Sequence, residues 1–62
     1  MTIREFDATG WTYGMRATYC GKVYPISTVD FVERLIGLLG TIENEPEAIT
    51  MVRCENVDLL RG

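Results

Sequence analysis

The sequence predicts a mainly β fold, on three observations. Residues 15–20, MRATYC, alternate between two sets of side chains with period 2, as a half-buried strand does. A glycine turn at 21–22 separates this run from the β-rich VYPI of 23–26, which predicts a β-hairpin. The tail, AITMVRCENV over 48–57, again contains many residues that favour strands.

The stretch STVDFVERLIGLLG, Ser27–Gly40, has two interpretations, and the fold depends on which is correct. On a helical wheel one side is polar and the other apolar, which predicts an amphipathic helix at about 28–39 packed on an antiparallel sheet, an α+β fold. Alternatively, a bulge at Ser27–Thr28 continues the preceding strand, VER at 32–34 is a turn and LIGLL is the returning strand. Periodicity alone favours the helix, although Gly37 costs a helix about 1 kcal/mol relative to alanine.

The chain of 62 residues forms at most one domain, 1–62, and 47% of its residues are hydrophobic, as in ordinary globular proteins. A domain of this size buries only about 60% of its unfolded surface. Enclosing a substrate cavity in addition to a core is therefore difficult. Size favours a binding or structural module over an enzyme.

The net charge of −3 comes from the second half of the chain. Residues 1–31 hold three basic and three acidic side chains, whereas 32–62 hold three arginines against six acidic side chains. Binding to nucleic acid without sequence preference needs several cations on one face. A protein partner with a basic surface is therefore expected ahead of nucleic acid, which is the second alternative.

The N-terminus lacks the apolar core of a signal peptide, and LIGLL is far too short to cross a bilayer. These features predict a soluble, cytoplasmic protein without a membrane partner. Cys20 and Cys54 are expected as buried thiols of a reducing compartment, and whether they pair is left open. Because the chain has no histidine, we expect no catalytic triad, no zinc site and no cofactor.

The order of motifs favours the strand interpretation of Ser27–Gly40. GMRATYCGKVYPI is followed by VDF, LIGL and MVRCENVDLL. Over about residues 10–60 this order resembles that of small phage and prophage proteins with a Src homology 3-like barrel. The resemblance implies a five-stranded barrel over 11–60, a short helical turn before the last strand, and an accessory role in a bacterial host. The VER turn at 32–34 departs from the pattern, because hairpin turns favour Gly, Asn or Asp.

Residues 1–10 are expected as an N-terminal arm, followed by two candidate binding residues. Trp11 and Tyr13 lie in a loop framed by glycines, and loop aromatics of small barrels bind partner peptides. In the alternative interpretation the two rings only cover one end of a thin barrel. The small size of the domain favours this interpretation, because a small core needs every large apolar side chain.

Charged candidates lie elsewhere in the chain. Arg16 and Lys22 are near the first turn and, with Arg53, form the basic stripe that a nucleic-acid-binding barrel would need. Glu43, Glu45 and Glu47 belong to TIENEPE, an acidic loop that suits a basic protein partner. This loop has Pro46 and no glycine, so it does not match a calcium loop.

Three functions follow from these observations. The first is a non-enzymatic interaction module that binds a host or phage protein through loop aromatics and the acidic loop, so that truncating Trp11 abolishes binding without unfolding the chain. The second is a nucleic-acid-binding small barrel. The third is a structural, self-associating protein in which LIGLL provides an apolar strip between copies of a homo-oligomer.

Overall fold

The computed structural model describes residues 1–60, and strands dominate this part of the chain, which confirms the mainly β prediction. The strands form one open, antiparallel sheet in the order β4-β3-β2-β1-β5. The elements are α1 (Ile3–Ala8), β1 (Arg16–Tyr19), β2 (Lys22–Asp30), β3 (Leu35–Leu39), β4 (Ile49–Arg53), a 3₁₀ turn (Cys54–Asn56) and β5 (Val57–Leu60).

The predicted first hairpin is confirmed, but its turn is Cys20–Gly21, one residue before the expected turn at 21–22, and Lys22 belongs to β2. Strands β1 and β2 pair antiparallel, with Tyr19 opposite Lys22. The two residues between them, Cys20 and Gly21, have φ values of 52° and 78°. Two successive residues with positive φ are typical of the tight turn whose twist matches that of paired strands. Ala17 of β1 is completely buried, in agreement with the period-2 pattern.

The helix that periodicity favours at about 28–39 is wrong, because these residues form the second hairpin. The register of β2 against β3 shifts between Ile26 and Thr28, which is the bulge expected there. Residues 31–34 are the turn, and LIGLL is the returning strand β3. A continuous apolar run suits β3 because this strand lies inside the sheet, between β2 and β4, and its residues 36–38 are buried.

A carboxylate stabilises the turn between β2 and β3. Oδ1 of Asp30 accepts hydrogen bonds from the backbone N–H groups of Val32 (2.9 Å) and Glu33 (3.0 Å). This side chain provides the local bonding that Asn or Asp usually gives to a turn. Arg34 takes the left-handed conformation, with φ of 57°, in place of a glycine. VER lacks the residues that usually form a hairpin turn. The Asp30 carboxylate, one position before the turn, supplies the hydrogen bonds that such residues would make.

The expected N-terminal arm, residues 1–10, contains helix α1. Thr2 and Glu5 form a capping box, in which the Thr2 hydroxyl accepts from Glu5 N–H and the Glu5 carboxylate accepts from Thr2 N–H, both at 3.1 Å. Phe6 is 1% exposed and lies in the core. The first residues therefore contribute to the fold.

The core lies between the curved sheet and α1, with β3 at its centre. Its buried apolar residues are Phe6, Ala17, Ile36, Leu38, Val52, Cys54 and Val57. Residues 36–38 are all buried, with β2 on one side of β3 and β4 on the other. LIGLL is therefore not the exposed strip that the predicted self-association through it would need.

A short 3₁₀ turn, Cys54–Asn56, joins β4 to β5, as expected before the last strand. The two edge strands of the sheet are thus consecutive in sequence, which requires the sheet to curve so that its edges approach one another. The N–H of Cys54 donates to the carbonyl of Arg34 (3.1 Å) and fixes this turn beside the β2–β3 turn.

Candidate functional site

A shallow groove lies between the loop at 11–13 and the second half of β2. We call it the aromatic groove. It has a volume of about 330 Å³ and is open to solvent. The bulge in β2 faces this groove, so irregular backbone forms one of its walls. Its lining residues are Trp11, Thr12, Tyr13, Ile26, Ser27, Thr28, Val29 and Phe31.

The buried ring of Phe6 supports two of the aromatic rings that line the groove. The ring of Phe6 lies 5.2 Å from that of Trp11 and 6.0 Å from that of Phe31, centroid to centroid. Both pairs are tilted or edge-on, the arrangements that aromatic quadrupoles favour. Because Phe6 belongs to α1, the N-terminal helix holds the two groove aromatics in position.

The upper edge of the groove is exposed and apolar. The Tyr13 side chain is fully exposed, and Phe31 is 64% exposed although it is a large apolar residue. Val32, next along the turn, is 86% exposed. Exposed apolar side chains are ordinary when scattered, but a group of them beside a groove indicates an interaction site.

Trp11 belongs to both the core and the groove. Its ring packs against the core cluster. Its indole N–H is buried and has no hydrogen-bond acceptor among residues 1–60. The ring is therefore held by apolar contacts. Of the two predicted binding aromatics, Trp11 forms the floor of the groove and Tyr13 its exposed edge.

An ion pair connects α1 to the turn beside the groove. The Arg34 guanidinium donates to both carboxylate oxygens of Asp7, at 3.0 Å each. Its hydrogen bonds and charge lower the pKa of Asp7, and Asp7 in turn raises the pKa of Arg34. The pair fixes the helix against the turn that carries Phe31.

The predicted basic residues do not form one surface. Arg16 is opposite Pro25, and Lys22 is opposite Tyr19. An odd number of positions separates the two pairs along the hairpin, so Arg16 and Lys22 point to opposite faces of the sheet. Arg53 is the last residue of β4 and pairs with Glu55 at 3.2 Å. The expected stripe of Arg16, Lys22 and Arg53 is therefore wrong.

The acidic loop is confirmed as an exposed segment, but it lies apart from the groove. Glu43, Glu45 and Glu47 are exposed and follow the C-terminal end of β3. The turn that carries Phe31 precedes the N-terminal end of the same strand. None of the three glutamates lines the groove. Charge and aromatic groups thus belong to two separate surfaces.

The two cysteines are free thiols in different environments. Cys54 is completely buried, as expected, whereas Cys20 is exposed in the first turn, so the expectation of burial is wrong for Cys20. Burial, followed by the nearby charge of Glu55, raises the pKa of the Cys54 thiol. The charges of the N-terminus and of Arg34 oppose this rise in the pKa of Cys54 but do not outweigh it.

Phe31 and Phe6 are the site residues that the sequence analysis missed. Phe31 is the first residue after β2. The strand interpretation of Ser27–Gly40 treats it as one more apolar residue and gives no reason to predict it as a binding residue. Phe6 was assigned to an arm, although Thr2 and Glu5 have the spacing of a capping box before an apolar residue. The Thr2–Glu5 spacing could have predicted a helix that begins at Ile3 and carries Phe6.

No helix among residues 1–60 has the length and apolar character to span a membrane. In the same residues, no three potential metal ligands of the His, Cys, Asp and Glu types lie together. No protein-family model, curated protein or solved structure matches the chain. The functional proposal is therefore based on the aromatic groove and, separately, on the acidic loop.

Proposed function

We propose that this protein is a non-enzymatic interaction module that binds a protein partner through the aromatic groove. The observation that carries the proposal is the exposure of Tyr13 and Phe31 beside a groove whose floor is held by Phe6. Aromatic side chains at the edge of a well-packed pocket are the groups that dominate protein recognition. The proposed ligand is an apolar side chain on a segment of the partner.

The bulge adds polar groups suited to a polypeptide. Ser27 lies between Ile26 and Thr28, and in the strands of residues 1–60 it pairs with neither β1 nor β3. A bulged residue leaves its backbone groups out of the ladder. Its N–H and carbonyl, with the exposed hydroxyls of Ser27 and Thr28, would bind the main chain of a partner beside its apolar side chain.

The charge of the protein favours a basic partner. The net charge is −3, and Glu43, Glu45 and Glu47 form a second, acidic surface that would attract it. The scattered cations make nucleic acid the weaker alternative, although Tyr13 and Phe31 would offer rings for base stacking.

The fold that we propose is the Src homology 3-like small barrel, supported by five strands and the 3₁₀ turn before β5. In that proposal the protein is a phage or prophage accessory factor in the bacterial cytoplasm.

The test is capture of a partner from bacterial lysate by the full chain with a tag after Gly62, compared with Tyr13→Ala and Phe31→Ala. Both side chains are largely exposed, so their truncation should leave folding intact. We expect a protein that the parent retains with and without nuclease, and that both variants lose. Trp11→Ala is unsuitable because Trp11 packs against the core, so loss of binding would not separate contact from unfolding.

Val23→Ala is the matched control, because Val23 is an exposed apolar residue (47%) outside both the groove and the acidic loop. The control should retain the partner as the parent does. Equal retention by the parent, Tyr13→Ala and Phe31→Ala would reject the groove as the site. Retention that disappears with nuclease would assign nucleic acid as the ligand.

A further inference from the structure

The amino group of Met1 is bonded to the last part of the described chain. Its ammonium donates to the backbone carbonyls of Cys54 (3.0 Å) and Val57. It also lies 3.5 Å from a carboxylate oxygen of Asp58. These partners belong to the 3₁₀ turn and to the first two residues of β5. The amino group thus joins residue 1 to a strand that begins 56 positions later.

The two carbonyls are the partners that matter for stability. The Met1 side chain is 2% exposed and packs against the core cluster, so burial of this residue brings its amino group to the carbonyls. Both of these hydrogen bonds are partly buried. The Asp58 side chain, in contrast, is 88% exposed, and an ion pair to an exposed carboxylate contributes little because water and salt screen it.

An ammonium group suits this site better than an amide does. It has three N–H donors and a positive charge, and hydrogen bonds from charged donors are stronger than those from neutral ones. An acyl group on the Met1 nitrogen would remove the charge and leave a single N–H for two carbonyls. The atoms of the acyl group would also need space beside partly buried backbone.

We infer that these two carbonyls form a site for the free amino group of Met1, and that covalent modification of this group releases α1 from the sheet. Helix α1 begins at Ile3, two positions after Met1, so the site fixes the beginning of the helix. The Asp7–Arg34 ion pair fixes its end separately. The site is a feature of the fold and is independent of whether the aromatic groove binds a partner.

The test compares 62-residue chains made by chemical synthesis, one with the free amino group and one acetylated on Met1. Acetylation should raise the equilibrium constant for unfolding in urea roughly ten- to a hundredfold, because charged hydrogen bonds are lost at a partly buried site. A third chain has a hydrogen atom in place of the Met1 amino group. It removes the donors without adding atoms, and its equilibrium constant for unfolding should rise within the same range.

The position of α1 is measured in the same chains by NMR. The protein has one tryptophan, Trp11, whose ring lies 5.2 Å from that of Phe6 on α1. The indole N–H signal of Trp11 should therefore shift in both modified chains. An indole signal that is unchanged in both would show that α1 stays docked and would overturn the inference.

Acetylation of Lys22 is the matched control, because it makes the same change in charge at the only lysine of the chain, which is exposed. Its equilibrium constant for unfolding should stay within about twofold of the parent value. A chain acetylated on Met1 that is as stable as the parent would overturn the inference. So would parent-like stability of the chain that lacks the amino group, because the ammonium would then contribute nothing to the fold.

Discussion

Asp7 of α1 and Arg34 of the β2–β3 turn form a two-bond ion pair that joins the first helix to a turn 27 positions further along the chain. Both N–O distances are 3.0 Å. The pair holds a residue whose φ is positive without being glycine. Its position beside Phe31 makes it part of the support of the aromatic groove.

The ion pair should make stability depend on pH in acid. The pKa of Asp7 in the folded chain lies below its ordinary value of 3.8. A carboxylate of this kind stabilises the fold above its unfolded pKa, and this contribution is lost as the pH falls through the folded pKa. We expect the Tm of the parent to exceed that of Asp7→Asn at pH 7, and the two to converge at about pH 2.

Thermal unfolding followed by circular dichroism from pH 7 to pH 2 measures this effect. Glu43→Gln, at an exposed carboxylate of the acidic loop, controls for the change in net charge. A Tm difference between parent and Asp7→Asn that is constant with pH would show that the Asp7 charge contributes nothing.

Phe6→Ala should strongly destabilise the protein, because the side chain is 1% exposed and contacts both Trp11 and Phe31. Truncation of a buried aromatic residue costs about 3–5 kcal/mol. Urea unfolding gives the value. Ile3→Ala, on the same helix but 44% exposed, should cost less than about 1 kcal/mol. Similar losses for the two variants would mean that α1 is not docked as described.

Gly37→Ala should destabilise the β2–β3–β4 region. A Cβ atom at this position would lie 2.6 Å from Cγ2 of Thr28 and 2.9 Å from Cγ2 of Ile49. Overpacking of this kind costs about 1–3 kcal/mol. Thr28→Ser removes the nearest methyl group, so Gly37→Ala should cost less in that background. Urea unfolding of the parent, the two single variants and the double variant gives the coupling free energy between positions 28 and 37. A loss of stability from Gly37→Ala that is the same with Thr28 and with Ser at position 28 would contradict the contact.

The two thiols should differ in reactivity. In the folded protein, a thiol reagent should modify Cys20 rapidly and leave Cys54 unmodified, because Cys54 is buried and its pKa is raised by that burial. Unfolding in denaturant should expose the Cys54 thiol to the reagent. Cys20→Ser should abolish the fast phase, and a fast phase that persists in this variant would show that Cys54 is accessible.

The strands could be predicted from the sequence where the pattern is local. Residues 15–20 alternate visibly, and the bulge at Ser27–Thr28 follows from a change in the parity of the apolar residues. The choice between helix and hairpin at 28–39 could not be made from periodicity, because LIGLL is continuously apolar and such a run suits a strand with buried residues 36–38 as well as a helix. The carboxylate of Asp30 was the local signal for the turn.

The groove could be predicted only in part. Flanking glycines identify Trp11 and Tyr13, but Phe31 lies twenty positions after Trp11 and joins them in the groove only through the fold. Phe6 joins Trp11 and Phe31 through contacts between three separate segments. No local pattern encodes contacts of this kind, and no spacing rule connects the segments.

Docking of α1 and occupancy of the aromatic groove are thermodynamically linked. Phe6 touches two of the groove aromatics, so a ligand that requires their present positions binds the docked state of the helix better than an undocked one. By reciprocity, the same ligand raises the free energy needed to detach the first eight residues. A protease that cleaves within α1 would therefore compete with a groove ligand, and the rate of cleavage would report how much of the protein is bound.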